Sequence, residues 1–242
     1  MTRLLKAIAL FAVFCAASTQ AEDSIRILFI GNSYTGQIRK TVTQLIKTSP
    51  EGKATELEFI TPGGKTLQFH LENPQTVQMI SEGNWNFVVL QDQSQTPAVF
   101  PDQFNDAARE LDKLIDAAGA KTVFYQTWGR RDGDKANRDR FPDYETMQKS
   151  LSKSYETTAR RCRALLAPVG DVWAEVRKAD SELGKELYKD DGSHPSAKGA
   201  YLAACVFYKT LFDKLPTLEF DDGITTEEKA RILIAIDEVV EK

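Results

Sequence analysis

Ile25-Arg26-Ile27-Leu28-Phe29-Ile30-Gly31-Asn32-Ser33 is the stretch that decides the fold. Its apolar run does not alternate with polar residues and stops at a glycine. A strand with one wet face alternates; a continuous run marks a strand covered on both faces, as in a parallel sheet. A helix follows, with Ile38, Val42, Leu45 and Ile46 on one side. Outward from this unit the pattern repeats. Leu57 to Ile60 reads as a second strand, closed by Pro62-Gly63-Gly64, and Phe87 to Leu90 as a third. An amphipathic helix then carries Phe104, Ala107, Ala108, Leu111, Leu114, Ile115 and Ala118 and is stopped by Gly119. Lys121 to Tyr125 reads as a fourth strand. A long helix carries Met147, Leu151, Tyr155, Ala159, Cys162 and Leu166, and Ala167 to Val172 reads as a short fifth strand. A helix after Pro195 and a last one, opened at Thr225 by a capping box to Glu228, complete the chain. The expected architecture is α/β: a three-layer α/β/α sandwich around a five-stranded parallel, flavodoxin-like sheet.

Composition narrows the function. With 242 residues, 42% hydrophobic and 10% aromatic, the chain has the apolar content of a folded domain. Its net charge of -4 leaves no basic footprint for nucleic acid. Two histidines, His70 and His194, exclude a His-rich metal centre, and the Asp190/Asp191 pair lacks further clustered ligands. No metal or organic cofactor is implied. The N-terminus begins with Arg3 and Lys6, continues with an apolar run from Ala7 to Ala17 too short for a bilayer, and offers Thr19-Gln20-Ala21 as a cleavage site. Residues 1–21 therefore read as a signal peptide and 22–242 as one domain, exported to the periplasm or medium, with no membrane span left after cleavage. Cys162 and Cys205 remain; both fall on apolar faces of expected helices and read as buried thiols, although an exported location permits a disulfide.

Ligands of open parallel sheets bind beyond the carboxyl ends of the strands. The segments there are Gly31-Asn32-Ser33-Tyr34-Thr35, Pro62-Gly63-Gly64-Lys65-Thr66, Gln91-Asp92-Gln93-Ser94 and Thr127-Trp128-Gly129, with Asp191-Gly192-Ser193-His194-Pro195 further on. A serine in a strand-to-helix turn is either a helix N-cap or a nucleophile awaiting a base. Asp191 and His194, three apart, put a carboxylate within reach of the imidazole Nδ1. His70, between Phe69 and Leu71, reads as packing or surface. Gly64-Lys65-Thr66 is not a phosphate-binding loop, because Phe59 stands where that motif needs glycine. The elbow G-x-S-x-G also fails, with Thr35 in its last position. The polar stretch Trp128 to Asp143 reads as a lid, a substrate loop or a solvated surface loop.

Phe29-Ile30-Gly31-Asn32-Ser33 resembles the first sequence block of the SGNH hydrolases (GDSL esterases and lipases), with Asn32 in place of the usual Asp. Asp191-x-x-His194 resembles their last block, and Gly64 their second. The resemblance implies a catalytic triad of Ser33, His194 and Asp191 and an oxyanion hole from the Ser33 and Gly64 N–H groups. The third block departs from the pattern Gly-x-Asn-Asp: its amide donor would be Gln91 or, by direct register, Gln93, and Gln91 is favoured. Asn32, Trp128 and Arg130 are candidate substrate contacts. The expected activity is hydrolysis of a small acyl ester, acetyl above all, of a carbohydrate or other polar alcohol. The alternatives are a lipase, thioesterase or lysophospholipase on the same fold, or a non-catalytic glycan-binding module. The expected partner is a small-molecule or glycan ester.

Overall fold

The structure, a computed structural model, describes residues 24–217 and 223–240. The expected signal peptide, residues 1–21, lies outside them. Strand β1 (Arg26–Ile30) leads into helix α1 (Ser33–Thr48), and β2 (Glu56–Ile60) into the short helices α2 (Leu67–Glu72) and α3 (Pro74–Glu82). Strand β3 (Phe87–Leu90) is followed by α4 (Thr96–Val99) and α5 (Pro101–Ala117), and β4 (Lys121–Tyr125) by α6 (Tyr144–Cys162). Then come β5 (Leu165–Ala167), α7 (Val169–Ala179), α8 (Ser181–Glu186), α9 (Ala197–Phe212) and α10 (Thr226–Val240).

All five strands pair in parallel in the order β2-β1-β3-β4-β5. This is the flavodoxin-type order, in which the winding reverses between β1 and β3. Side chains of β1 show why its sequence is unbroken. Ile27 and Phe29 enter one core with α1, α7, α9 and α10; Leu28 and Ile30 enter the other with α5 and α6. All four are fully buried, and each contributes about 1.5–3 kcal/mol of burial free energy. The edge strands β2 and β5 carry exposed positions instead. The capping box at the last helix is present: Thr225 N–H donates to Glu228 Oε2 at 2.9 Å, and Glu228 N–H donates to Thr225 Oγ1 at 3.2 Å.

The fifth strand differs from the sequence expectation. It occupies Leu165–Ala167, so Leu166 pairs with Phe124 in the sheet rather than continuing α6. Residues 169–172, expected as strand, form the first turn of α7. Arg163, in the left-handed conformation at φ 53°, ends α6 where a glycine would have announced the stop. Buried Val169, Val172, Trp173 and Val176 follow helical spacing. Gly170 is required there because a Cβ would overlap the Thr127 carbonyl oxygen. No disulfide joins Cys162 and Cys205; burial, with Asp112 nearby, pushes the Cys162 thiol up to about 12.

Candidate active site

The turn after β1 lies at the point where the sheet order reverses, the usual ligand position in such sheets. Ser33 is the first residue of α1, so its backbone N–H points out of a helix N-terminus, where negative charge is favoured. Asn32 caps that helix: its Oδ1 accepts from Tyr34 N–H at 3.1 Å, and its Nδ2 donates to Lys65 O at 2.9 Å. Asn32 is buried and bonded at both ends, so it ties the Ser33 turn to the loop after β2 and does not face a substrate. That corrects its expected role as a substrate contact.

His194 arrives from the loop before α9, 161 residues away in sequence, with Nε2 3.0 Å from Ser33 Oγ. Its Nδ1 lies 2.7 Å from Asp191 Oδ2. An ionised carboxylate only accepts, so the proton sits on Nδ1, and Nε2 is left to accept from the Ser33 hydroxyl. Asp191 Oδ1 also accepts from the Ser193 and His194 N–H groups at 2.8 and 2.9 Å. Burial pushes the Asp191 carboxyl up, but these bonds, led by the one to the His194 side chain, outweigh it and bring it down to about 2. The carboxylate therefore stays charged at any working pH.

His70 is in the core. Its Nε2–H donates to Gly31 O at 2.9 Å, and burial lowers its basicity, so it is a neutral structural imidazole beneath the turn. This agrees with its reading as packing.

The amide donor is where the structure revises the sequence most. Gln91 is fully buried. Its Oε1 accepts from Asn32 N–H at 3.0 Å and from Thr35 Oγ1–H at 2.8 Å, while its Nε2 donates to Asp92 O. The side chain is a fully buried clamp under the serine turn. Gly31 is glycine because a Cβ would overlap both Thr35 Oγ1 and Gln91 Oε1. Gln93, half-buried, is placed differently. Its Oε1 accepts from Gln95 N–H at 2.7 Å, and its Nε2 makes one long bond of 3.4 Å to Gln95 Oε1, keeping a second hydrogen. Of the two glutamines, Gln91 is buried and Gln93 is the one left partly exposed.

Gly64 holds a positive φ of 69° at an exposed turn that L side chains adopt poorly. The Ser33 and Gly64 N–H groups have no acceptor among the described residues. Asp92 joins the two neighbouring loops: its buried Oδ1 accepts from Leu67 N–H at 3.2 Å and from Gln93 N–H at 2.6 Å. Burial raises this carboxyl to about 7.

Trp128, expected at the substrate, is fully buried instead, stacked on Tyr34 at 5.0 Å and on Trp173 at 4.0 Å. Its indole N–H donates to Ser193 O at 3.0 Å. Arg130 pairs with buried Asp134 at 3.1 Å and, with Arg131, Lys135 and Asp190 to Ser193, borders a cleft of about 170 Å³ beside the histidine loop. Asp134 also accepts from Gln95, Ala136 and Asn137, so the polar stretch after Trp128 is internally bonded rather than a loose solvated loop. Among the described residues no cluster of three metal-ligating side chains occurs, and no helix is long and apolar enough to cross a membrane.

No protein-family model matches the chain, and neither does any curated protein. Solved structures do. A candidate SGNH hydrolase from Slackia heliotrinireducens is 29% identical with a TM-score of 0.67, the match covering 78% of this chain and all of that one. A DUF4886 family protein from Bacteroides uniformis superposes with a TM-score of 0.71 at 17% identity over 90% of this chain and 95% of its own. An acetylxylan esterase from Geobacillus stearothermophilus gives 0.62 at 14% identity over 83% and 97%. With a serine at the switch point of a sheet shared with these structures, and 29% identity to the first of them over the matched part, the chain belongs to the SGNH/GDSL hydrolase superfamily.

Proposed function

We propose that the protein is a serine esterase that removes a small acyl group, acetyl above all, from a carbohydrate or other polar alcohol. The observation that carries this reading is the unbroken chain Ser33 Oγ, His194, Asp191, with contacts of 3.0 and 2.7 Å, at the head of α1. Ser33 attacks the ester carbonyl as His194 Nε2 takes its proton. The imidazolium that forms is stabilised by Asp191 and then protonates the leaving alcohol. The tetrahedral oxyanion receives hydrogen bonds from the Ser33 and Gly64 N–H groups and from the spare Gln93 amide hydrogen. Water, activated by His194, then hydrolyses the acyl-enzyme and restores Ser33. Polar surroundings support a polar alcohol: Gln93, Arg130 and Arg131 border the rim, where a lipid enzyme would place an apolar lid. The acetylxylan esterase that shares the fold supports the same choice. The charged start and short apolar run of residues 1–21 support export to the periplasm or medium.

The test is hydrolysis of 4-nitrophenyl acetate, with mass spectrometry after a serine-reactive phosphonate. We expect turnover and one adduct, on Ser33, and both should vanish in Ser33→Ala. Activity surviving that substitution would sink the reading. Faster turnover of long-chain than of acetyl esters would replace it with a lipase or thioesterase.

A further inference from the structure

We propose that Tyr34 is a positioning residue for proton transfer. Its hydroxyl fastens the loop carrying His194 to the turn carrying Ser33 and so holds base and nucleophile at hydrogen-bond distance. This rests on the esterase reading of Ser33 and His194 and adds to it a part that the triad leaves out.

The problem it solves is geometric. His194 and Asp191 sit on a loop whose side chains are 28% and 48% exposed, whereas Ser33 heads a helix rooted in the core. Misplacing a reacting group by about 1 Å costs on the order of a hundredfold in rate, so something must register the loop on the turn. Tyr34 directly follows Ser33, and Ser193 directly precedes His194. The Tyr34 hydroxyl lies 2.6 Å from Ser193 Oγ, a link parallel to the Ser33–His194 contact and one residue from it on both sides. The phenol ring cannot swing, because it stacks on Trp128, which stacks on Trp173. Trp128 grips the same residue from behind through its bond to Ser193 O. The ring also lies against the imidazole, with centroids 5.2 Å apart. One buried side chain thus joins the two loops that carry Ser33 and His194. Burial raises its pKa, so it remains a neutral hydroxyl. A phenylalanine would fill the same stack without this link.

The test is a double-mutant cycle of Tyr34→Phe and Ser193→Ala, read as kcat and KM on 4-nitrophenyl acetate and as the rate of phosphonate labelling. Each single variant should lose about tenfold in kcat, the scale of one hydrogen bond, with KM within about twofold. Labelling should slow in proportion. The double variant should be no worse than either single, because both remove one interaction. Wild-type kcat in either single variant overturns the proposal, as does a double effect equal to the product of the singles. A fall in melting temperature with no change in labelling rate would also overturn it, since that marks packing alone. Should Tyr34→Phe fail to fold, Ser193→Ala, on the outer loop, decides the matter. If Ser33→Ala stays active the esterase reading itself fails; if Ser33→Ala is dead and Tyr34→Phe is normal, only the Tyr34 link fails.

Discussion

The two halves of the site are built in opposite ways. The turn from Gly31 to Thr35 is buried and bonded beneath by Gln91 and His70; it continues a core strand into a 16-residue helix. The loop from Lys189 to Pro195 is a surface excursion between α8 and α9, shaped by its own Asp191 and held from outside by Trp128, Tyr34 and Arg131. The proposed nucleophile is therefore part of the fold, whereas the proposed base is an attachment to it. Damage to the supports of the first should show in stability before activity, and damage to the second in activity alone.

His194→Ala tests this most directly. It should lower kcat by about 10⁴-fold or more while the melting temperature moves little, because the imidazole is partly exposed on a loop outside the core. His70→Ala should do the reverse, lowering the melting temperature while leaving kcat within about tenfold in the folded fraction. The opposite pattern breaks both the comparison and the triad. The glutamines come next. Gln93→Ala should lower kcat by roughly a hundredfold or more, the cost of an oxyanion donor, at unchanged stability. Gln91→Ala should show first in denaturant unfolding, since it leaves the Asn32 N–H and the Thr35 hydroxyl unpaired in the core, at about 1–3 kcal/mol. Gly31→Ala forces Thr35 and Gln91 apart and should cost a further measure of the same kind, about 1–3 kcal/mol by the same unfolding measurement.

The smallest effect concerns pH and separates the two carboxylates. Asp92, under the buried side, is raised to about 7. The folded chain takes up its proton before the unfolded chain does, so this group lowers stability as pH rises from about 4 to about 7, and no further above that. Asp92→Asn keeps an acceptor for Leu67 and Gln93 without the charge. It should stabilise the fold at pH 8, with the gain shrinking as pH falls and gone below about pH 4. Asp191 runs the other way: lowered to about 2, its contribution is complete above about pH 4 and lost as pH falls through about 2. Melting curves of wild type and Asp92→Asn across pH 4 to 8 check the first sign, and the same comparison with Asp191→Asn across pH 2 to 5 checks the second; a gain in Asp92→Asn that grows toward low pH would reverse the assignment.

Much of this was legible in the chain itself, and the misses share a cause. Strands β3 and β4 fall at the expected residues because doubly covered strands are short apolar runs bounded by turns. The capping box at Thr225 was visible because its bonds are local. The β5–α7 junction was not, since Arg163 ends a helix in a conformation that its residue type does not announce, and Val169 to Val172 suits strand and helix alike. Asn32, Gln91 and Trp128 were recognised as rim residues by position, and the structure buries all three side chains. Strand ends locate a side chain along the sheet; they do not say whether it turns outward to a ligand or inward to the next loop.

Sequence alone determined the parallel sheet and the pairing of Asp191 with His194, because continuous apolar runs and a three-residue spacing are local properties. It also nominated Ser33, through the glycine-asparagine-serine turn at the end of β1. Tertiary structure decided which glutamine faces the rim, why Thr35 stands where an elbow would have glycine, and how an exposed histidine loop is registered on a buried serine. Those choices belong to hydrogen bonds between residues 56 to 161 positions apart, and only the closed fold brings such partners within reach.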